Sequence, residues 1–143
     1  MIFSAQQLFS DDQAITASAD STNVIDLGVA GTPYGAAAAL NQDIGKGAKI
    51  PLLVQVTEVF DNLTSLEIKI STGATTALGT TVISKVVLLA DLVAGYQFPV
   101  DVLPNEITER YLGIEYVVVG TTPTTGKVTA GITMGNQTNV HGA

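Results

Sequence analysis

The stretch LLVQVTEVFDNLTSLEIKIST, residues 52–72, restricts the fold more than any other part of the chain. In its second half Leu66, Ile68 and Ile70 fall on one side of an extended backbone and Glu67, Lys69 and Ser71 on the other, a period of two. Its first half, residues 52–60, is an apolar run interrupted only by Gln55, Thr57 and Glu58, the pattern of a strand covered on both faces for part of its length. Asp61-Asn62 between them is a turn signal. Neither segment carries a helical stripe, so both must find partners in a sheet.

The rest of the chain repeats this pattern. Strands are expected at 24–27, 48–60, 64–72, 80–89, 111–120 and 127–134, with YLGIEYVVVG (111–120) the best candidate for a central one. Residues 93–102 hold Pro99 and therefore read as an edge or bent segment, because proline donates no ladder hydrogen bond. Residues 1–10 are compatible with an extended arm or a short amphipathic turn, and residues 14–23 with a loop or edge strand. Residues 28–47, rich in Gly and Ala, read as a long ordered loop with one helical turn at 36–40. The expectation is one all-β domain, an antiparallel jelly-roll-like sandwich of about eight strands with little helix, spanning 1–143. Within it residues 1–12 are a candidate N-terminal arm and 135–143 are expected as a polar tail.

Charge excludes several partners. The chain has 13 acidic and 6 basic side chains, a net charge of −7. Its few lysines and arginines are scattered, whereas binding a phosphate backbone draws on clustered ones, so no nucleic acid is expected. The same acidity opposes docking on an anionic membrane, and no apolar run approaches the roughly 20 residues that cross a bilayer. There is no cysteine, hence no disulfide framework or thiolate metal site. MIFSAQQLFSDDQ lacks the basic and apolar regions of a secretory signal, so synthesis in the cytoplasm is expected.

Catalytic devices are sparse. The single histidine, His141, lies near the carboxyl end, where a rigid second partner is unusual. GTTPTTGK, 120–127, resembles a phosphate loop but has five residues between its glycines and Val128 where a magnesium-binding hydroxyl belongs; it reads as a hairpin loop. GVAGTPYG, 28–35, lacks the strand-turn-helix setting of a dinucleotide site. Asp11-Asp12, Glu106 with Glu109, and Asp91 with Asp101 are the local acid pairs, and they read as solvated surface acids. Asp11, Asp12 and Asp20 match no EF-hand spacing. The chain is expected to be a non-enzyme, with no catalytic residue, metal or cofactor.

Three phrases, ITASADSTNVIDLGVAGTPYG (15–35), RYLGIEYVV (110–118) and the closing AGIT (130–133), resemble the cement, or decoration, proteins of podovirus capsids of the Bordetella-phage type. That resemblance implies a jelly-roll-like domain on the capsid exterior. It would bind a major capsid protein of the HK97-like fold and bridge neighbouring shell subunits, often as a homodimer, with no catalytic residues. Exposed apolar residues on a bland surface mark partner sites, so the expected contacts are the arm residues Ile2, Phe3, Leu8 and Phe9 and the loop residue Tyr34. The competing reading is that Phe3 and Phe9 close the core. The alternative function is a carbohydrate-binding or adhesive sandwich, which would use the four tyrosines, Tyr34, Tyr96, Tyr111 and Tyr116, as a platform.

Overall fold

The structure, a computed structural model, describes residues 2–32, 34–37, 47, 49–105 and 107–135. The described residues form eight strands: β1 (Phe3–Ala14), β2 (Ala19–Asp20), β3 (Ile25–Asp26), β4 (Leu52–Glu58), β5 (Leu63–Gly73), β6 (Thr80–Leu88), β7 (Tyr111–Gly120) and β8 (Lys127–Thr133). One 3₁₀ turn, Leu89–Asp91, follows β6. The strands form two antiparallel sheets, one ordered β1-β8-β4 and the other β2-β7-β5-β6, with β3 also on β7. The all-β sandwich expected from the period-two pattern is therefore the fold.

Each sheet turns its apolar parity inward. Leu66, Ile68 and Ile70 of β5 and Leu112, Ile114 and Tyr116 of β7 meet Leu52, Val54 and Val56 of β4 and Val128 and Ala130 of β8 in one buried cluster. Residues 96–103 run along the free side of β4, through bridges Pro51–Val102 and Gln55–Gln97 and a hydrogen bond from the Phe98 amide to the Val54 carbonyl of 2.9 Å. Pro99 lies within this run, as the edge assignment requires.

The two connections read as strand-to-strand turns are sheet-switching corners instead. β4 and β5, joined at Asp61-Asn62, lie in different sheets, and so do β7 and β8, joined by 121–126; GTTPTTGK is thus no hairpin loop. The corners are bound together through Asp61. Its carboxylate accepts the Thr124 amide at 2.6 Å, the Thr125 amide at 3.0 Å and the Thr124 hydroxyl. These bonds favour the charged form and hold the Asp61 carboxyl below its ordinary range. The hairpin in this fold is β5-β6, closed by residues 74–79.

The amino-terminal segment is not an arm. It is a twelve-residue strand paired with β8 from Phe3–Thr133 to Ala14–Lys127. Three register shifts interrupt the pairing, and Asp12 lies at φ 48°. The bulges break the alternation, which is why the strand was not legible as one: Leu8 faces outward while its neighbours Phe9 and Ser10 are both buried. The helical turn expected at 36–40 lies mostly outside the described residues, and so does the tail expected at 135–143, of which Gly135 alone is described.

Candidate functional site

The outer face of the three-stranded sheet carries an apolar surface built around Gly131. A side chain there would meet Leu8 Cδ1 at 2.9 Å and Phe3 Cδ1 at 3.0 Å, so both side chains close directly over the glycine backbone. Leu53 sits opposite Gly131 in the ladder and is buried outside the main core. Beside this layer Ile2, Phe3, Gln7, Ile132 and Met134 line an open depression of about 360 Å³. Ile2 is 71% exposed and Met134 86%.

The expected contact residues therefore separate. Ile2 is on the surface, and Phe3 and Leu8 are half-buried beside it. Phe9 is fully enclosed in the core and offers no surface, which favours the core reading for this residue. Tyr34 is wholly exposed. Ile132 and Met134 join the patch without having been singled out. The available signal was that Met134 is a large apolar residue immediately beyond an alternating strand; its neighbourhood with Ile2 needed the β1–β8 pairing.

A buried polar relay fixes the strand that carries this surface. The Tyr116 hydroxyl donates to Ser10 Oγ at 2.8 Å, and Ser10 in turn donates to Gln13 Oε1 at 2.7 Å. Gln13 also accepts from the Thr22 amide and donates to the Asp20 carbonyl. Burial pushes the Tyr116 phenol well above its ordinary range, so the hydroxyl keeps its proton and remains a donor. At the far end Lys127 pairs with Glu58 at 3.0 Å and Asp12 at 3.4 Å, joining β4, β8 and β1.

The phrases DLG and RYLG meet on the other sheet. Ile25 and Asp26 pair with Leu112 and Tyr111, and Arg110 donates from Nε and Nη2 to the two Asp26 oxygens at 2.7 Å each. The Gly28 amide donates to the same carboxylate, and Arg110 stacks on Tyr111 at 4.8 Å. The guanidinium, then the Gly28 amide, hold Asp26 down to about 2. A depressed carboxylate contributes stability above its unfolded value of 3.8 that is lost as pH falls through about 2. Asp26→Asn is accordingly expected to lower the urea midpoint at neutral pH and to flatten its fall between pH 4 and 2, measured by tyrosine fluorescence.

Among the described residues no three His, Cys, Asp or Glu side chains come together to hold a metal ion. His141 lies outside the described residues. Three tyrosines are engaged in packing: Tyr116 is in the core, Tyr96 meets Phe98 edge-on at 5.6 Å, and Tyr111 lies under Arg110. No helix among the described residues is long and apolar enough to cross a membrane.

The fold defines a two-sheet antiparallel sandwich with the exposed Ile2 and Met134 side by side on one outer face. A family model described as Bbp16 matches residues 9–132, and the chain belongs to the Bbp16 family. The family name marks this as a phage-related protein and suggests a protein of the virion. No match is found among curated proteins.

Proposed function

We propose that this protein is a non-catalytic structural protein of the virion that binds the outside of an icosahedral capsid and cements neighbouring major capsid subunits. Membership of the Bbp16 family supports the phage setting. The observation that carries the contact is the depression between Ile2 and Met134, where two large apolar side chains stand in solvent beside Phe3 and Ile132. Burying such residues against a shell subunit supplies the binding energy at about 25 cal/mol per Å² of apolar surface covered. Bridging multiplies it, because a body already held to one subunit meets the next at high effective concentration. A stiff sandwich suits that task, and its acidity keeps it from competing for packaged DNA.

Co-sedimentation with expanded capsids tests the proposal. The wild-type chain is expected to pellet with capsids and not with unassembled shell subunits. Ile2→Asp with Met134→Asp, both at exposed positions, is expected to weaken binding by about tenfold or more with the fold intact. A wild-type chain that stays in the supernatant overturns the function; a double variant that binds unchanged overturns the surface.

A further inference from the structure

An unpaired sheet edge is a row of unsatisfied backbone donors and acceptors, and proteins blunt such edges with bulges, prolines, charges or brevity. The β1 edge is bulged, bears Asp11 and Asp12, and is capped where Asn23 bonds the Phe9 and Leu8 carbonyls. The edge made by 96–103 contains Pro99. β2 and β3 are two residues each. β6, nine residues long, pairs with β5 alone and holds no proline. Its single irregularity lies between the Ile70–Ile83 and Ser71–Thr81 pairs, leaving Ile83–Leu88 in regular register with β5. Along that run alternate residues turn their amide and carbonyl away from β5. Val86, 59% exposed, and Leu88, 60% exposed, stand on its outer face.

The inward side of this edge is an apolar hollow with basic groups beside it. Ile83, Lys85 and Val87 lie opposite Ile70, Ile68 and Leu66 and share the parity that faces the core. Ile83 lines a depression of about 390 Å³ with Val102, Leu103 and Pro104, and Lys49 and Asn105 are exposed members of its lining. Among the described residues Lys69, Arg110 and Lys127 are held in ion pairs, whereas Lys49 and Lys85 have no carboxylate partner. In a chain of net charge −7 these two lysines thus attend one hollow, Lys49 in its wall and Lys85 about 7 Å along the strand from Ile83. An inward lysine on an edge strand is also a device that keeps edges from pairing. It acts so against apolar and basic strands, but a strand that sets a carboxylate opposite it gains a cross-strand ion pair. Lys85 therefore selects among partners by charge and leaves the edge open to an acidic one.

We propose that β6 and this depression form a binding site for an extended, acidic peptide segment of another protein, which adds to the five-stranded sheet as a further strand. The peptide backbone answers the open donors and acceptors at ladder spacing, and pockets for alternate side chains supply the selectivity. Antiparallel addition continues the pattern of the sheet, and parity then dictates what the segment must carry. The residue opposite Ile83 turns into the hollow and is apolar. The residue two places before it meets Lys85 and is acidic. A second acid two places after it turns the same way, toward the Lys49 wall. On the other face, apolar residues opposite Val86 and Leu88 cover those two side chains.

The site is tested on the purified chain without any capsid, so its outcome is separate from the cementing reading. The probe is the synthetic peptide Thr-Val-Thr-Val-Glu-Thr-Leu-Thr-Glu, blocked at its carboxyl end and carrying a fluorophore at its amino end. Fluorescence anisotropy is expected to show saturable binding with a Kd below about 100 μM. The same peptide with lysine at both glutamate positions is expected to bind about tenfold or more weakly. Amide hydrogen exchange at 83–88 is expected to slow when the acidic peptide saturates the chain. Lys49→Glu with Lys85→Glu, both at exposed positions, is expected to reverse the preference between the two peptides with an unchanged far-ultraviolet circular dichroism spectrum. No saturable binding, equal binding of both peptides, binding that leaves 83–88 unprotected, or a double variant that keeps the acidic preference overturns the inference. Protection of 83–88 that rises with protein concentration in the absence of peptide assigns the edge to a second copy and overturns it too.

Discussion

Gly126→Ala is expected to lower the unfolding free energy by about 2–5 kcal/mol, read as a reduced guanidinium midpoint. Two independent terms add at this residue. Its φ of 133° lies in a region that side chains rarely adopt. A Cβ placed on it would also fall inside the van der Waals envelope of the Phe60 ring, which is buried beneath the corner. The backbone cannot retreat, because the neighbouring Thr124 and Thr125 are held by Asp61 and the Gly126 carbonyl accepts the Ile15 amide at 3.0 Å. Gly79→Ala is the control: nothing lies within 4 Å of its added carbon, and the change is expected to stay within about 0.5 kcal/mol. If crowding against Phe60 is the cause, Phe60→Leu combined with Gly126→Ala costs less than the sum of the two. Strict additivity would assign the whole effect to backbone strain.

Phe9→Ala is expected to cost about 3–5 kcal/mol, in the range of buried phenylalanine truncations, whereas Ile2→Ala stays within about 0.5 kcal/mol. Seven positions separate the two residues in sequence, yet Phe9 fills the core and Ile2, just ahead of β1, stands in solvent. This contrast changes how the capsid surface must be probed. Deleting residues 2–9 removes a core side chain and much of the β1–β8 pairing together, so lost binding would follow from lost folding. Point changes at Ile2 and Met134 leave the core whole. An equilibrium urea series on Phe9→Ala checks the prediction, and an effect below about 1 kcal/mol would remove Phe9 from the core.

Where alternation was unbroken the sequence was easy to read. The 111–120 assignment coincides with β7, and 64–72 and 127–134 fall within a residue or so of β5 and β8. β1 was obscured because its bulges shift parity within the strand, so that Leu8 and Phe9 cannot be sorted into faces by counting. The turn residues at 61–62 and 121–126 marked chain reversals correctly without revealing that each reversal changes sheets. A turn's local chemistry is the same whether the next strand pairs with the previous one or packs across from it. Of the candidate surface, Ile2 and Phe3 were legible as apolar residues near a terminus. Ile132 and Met134 were not, because they reach the patch through a pairing more than a hundred residues long in sequence.

The order of side chains alone determined that this polypeptide forms strands, that they bury one parity, and that its acidic, cysteine-free composition suits neither a thiolate centre nor a phosphate-binding surface; these follow from backbone periodicity and charge, which are local or additive. Tertiary structure decided which strands neighbour one another, and with that which apolar residues were left outside. Phe9, Ile2 and Val86 are similar in hydrophobicity, and only the pairing of distant strands assigns one to the core, one to an open depression and one to an unprotected sheet edge.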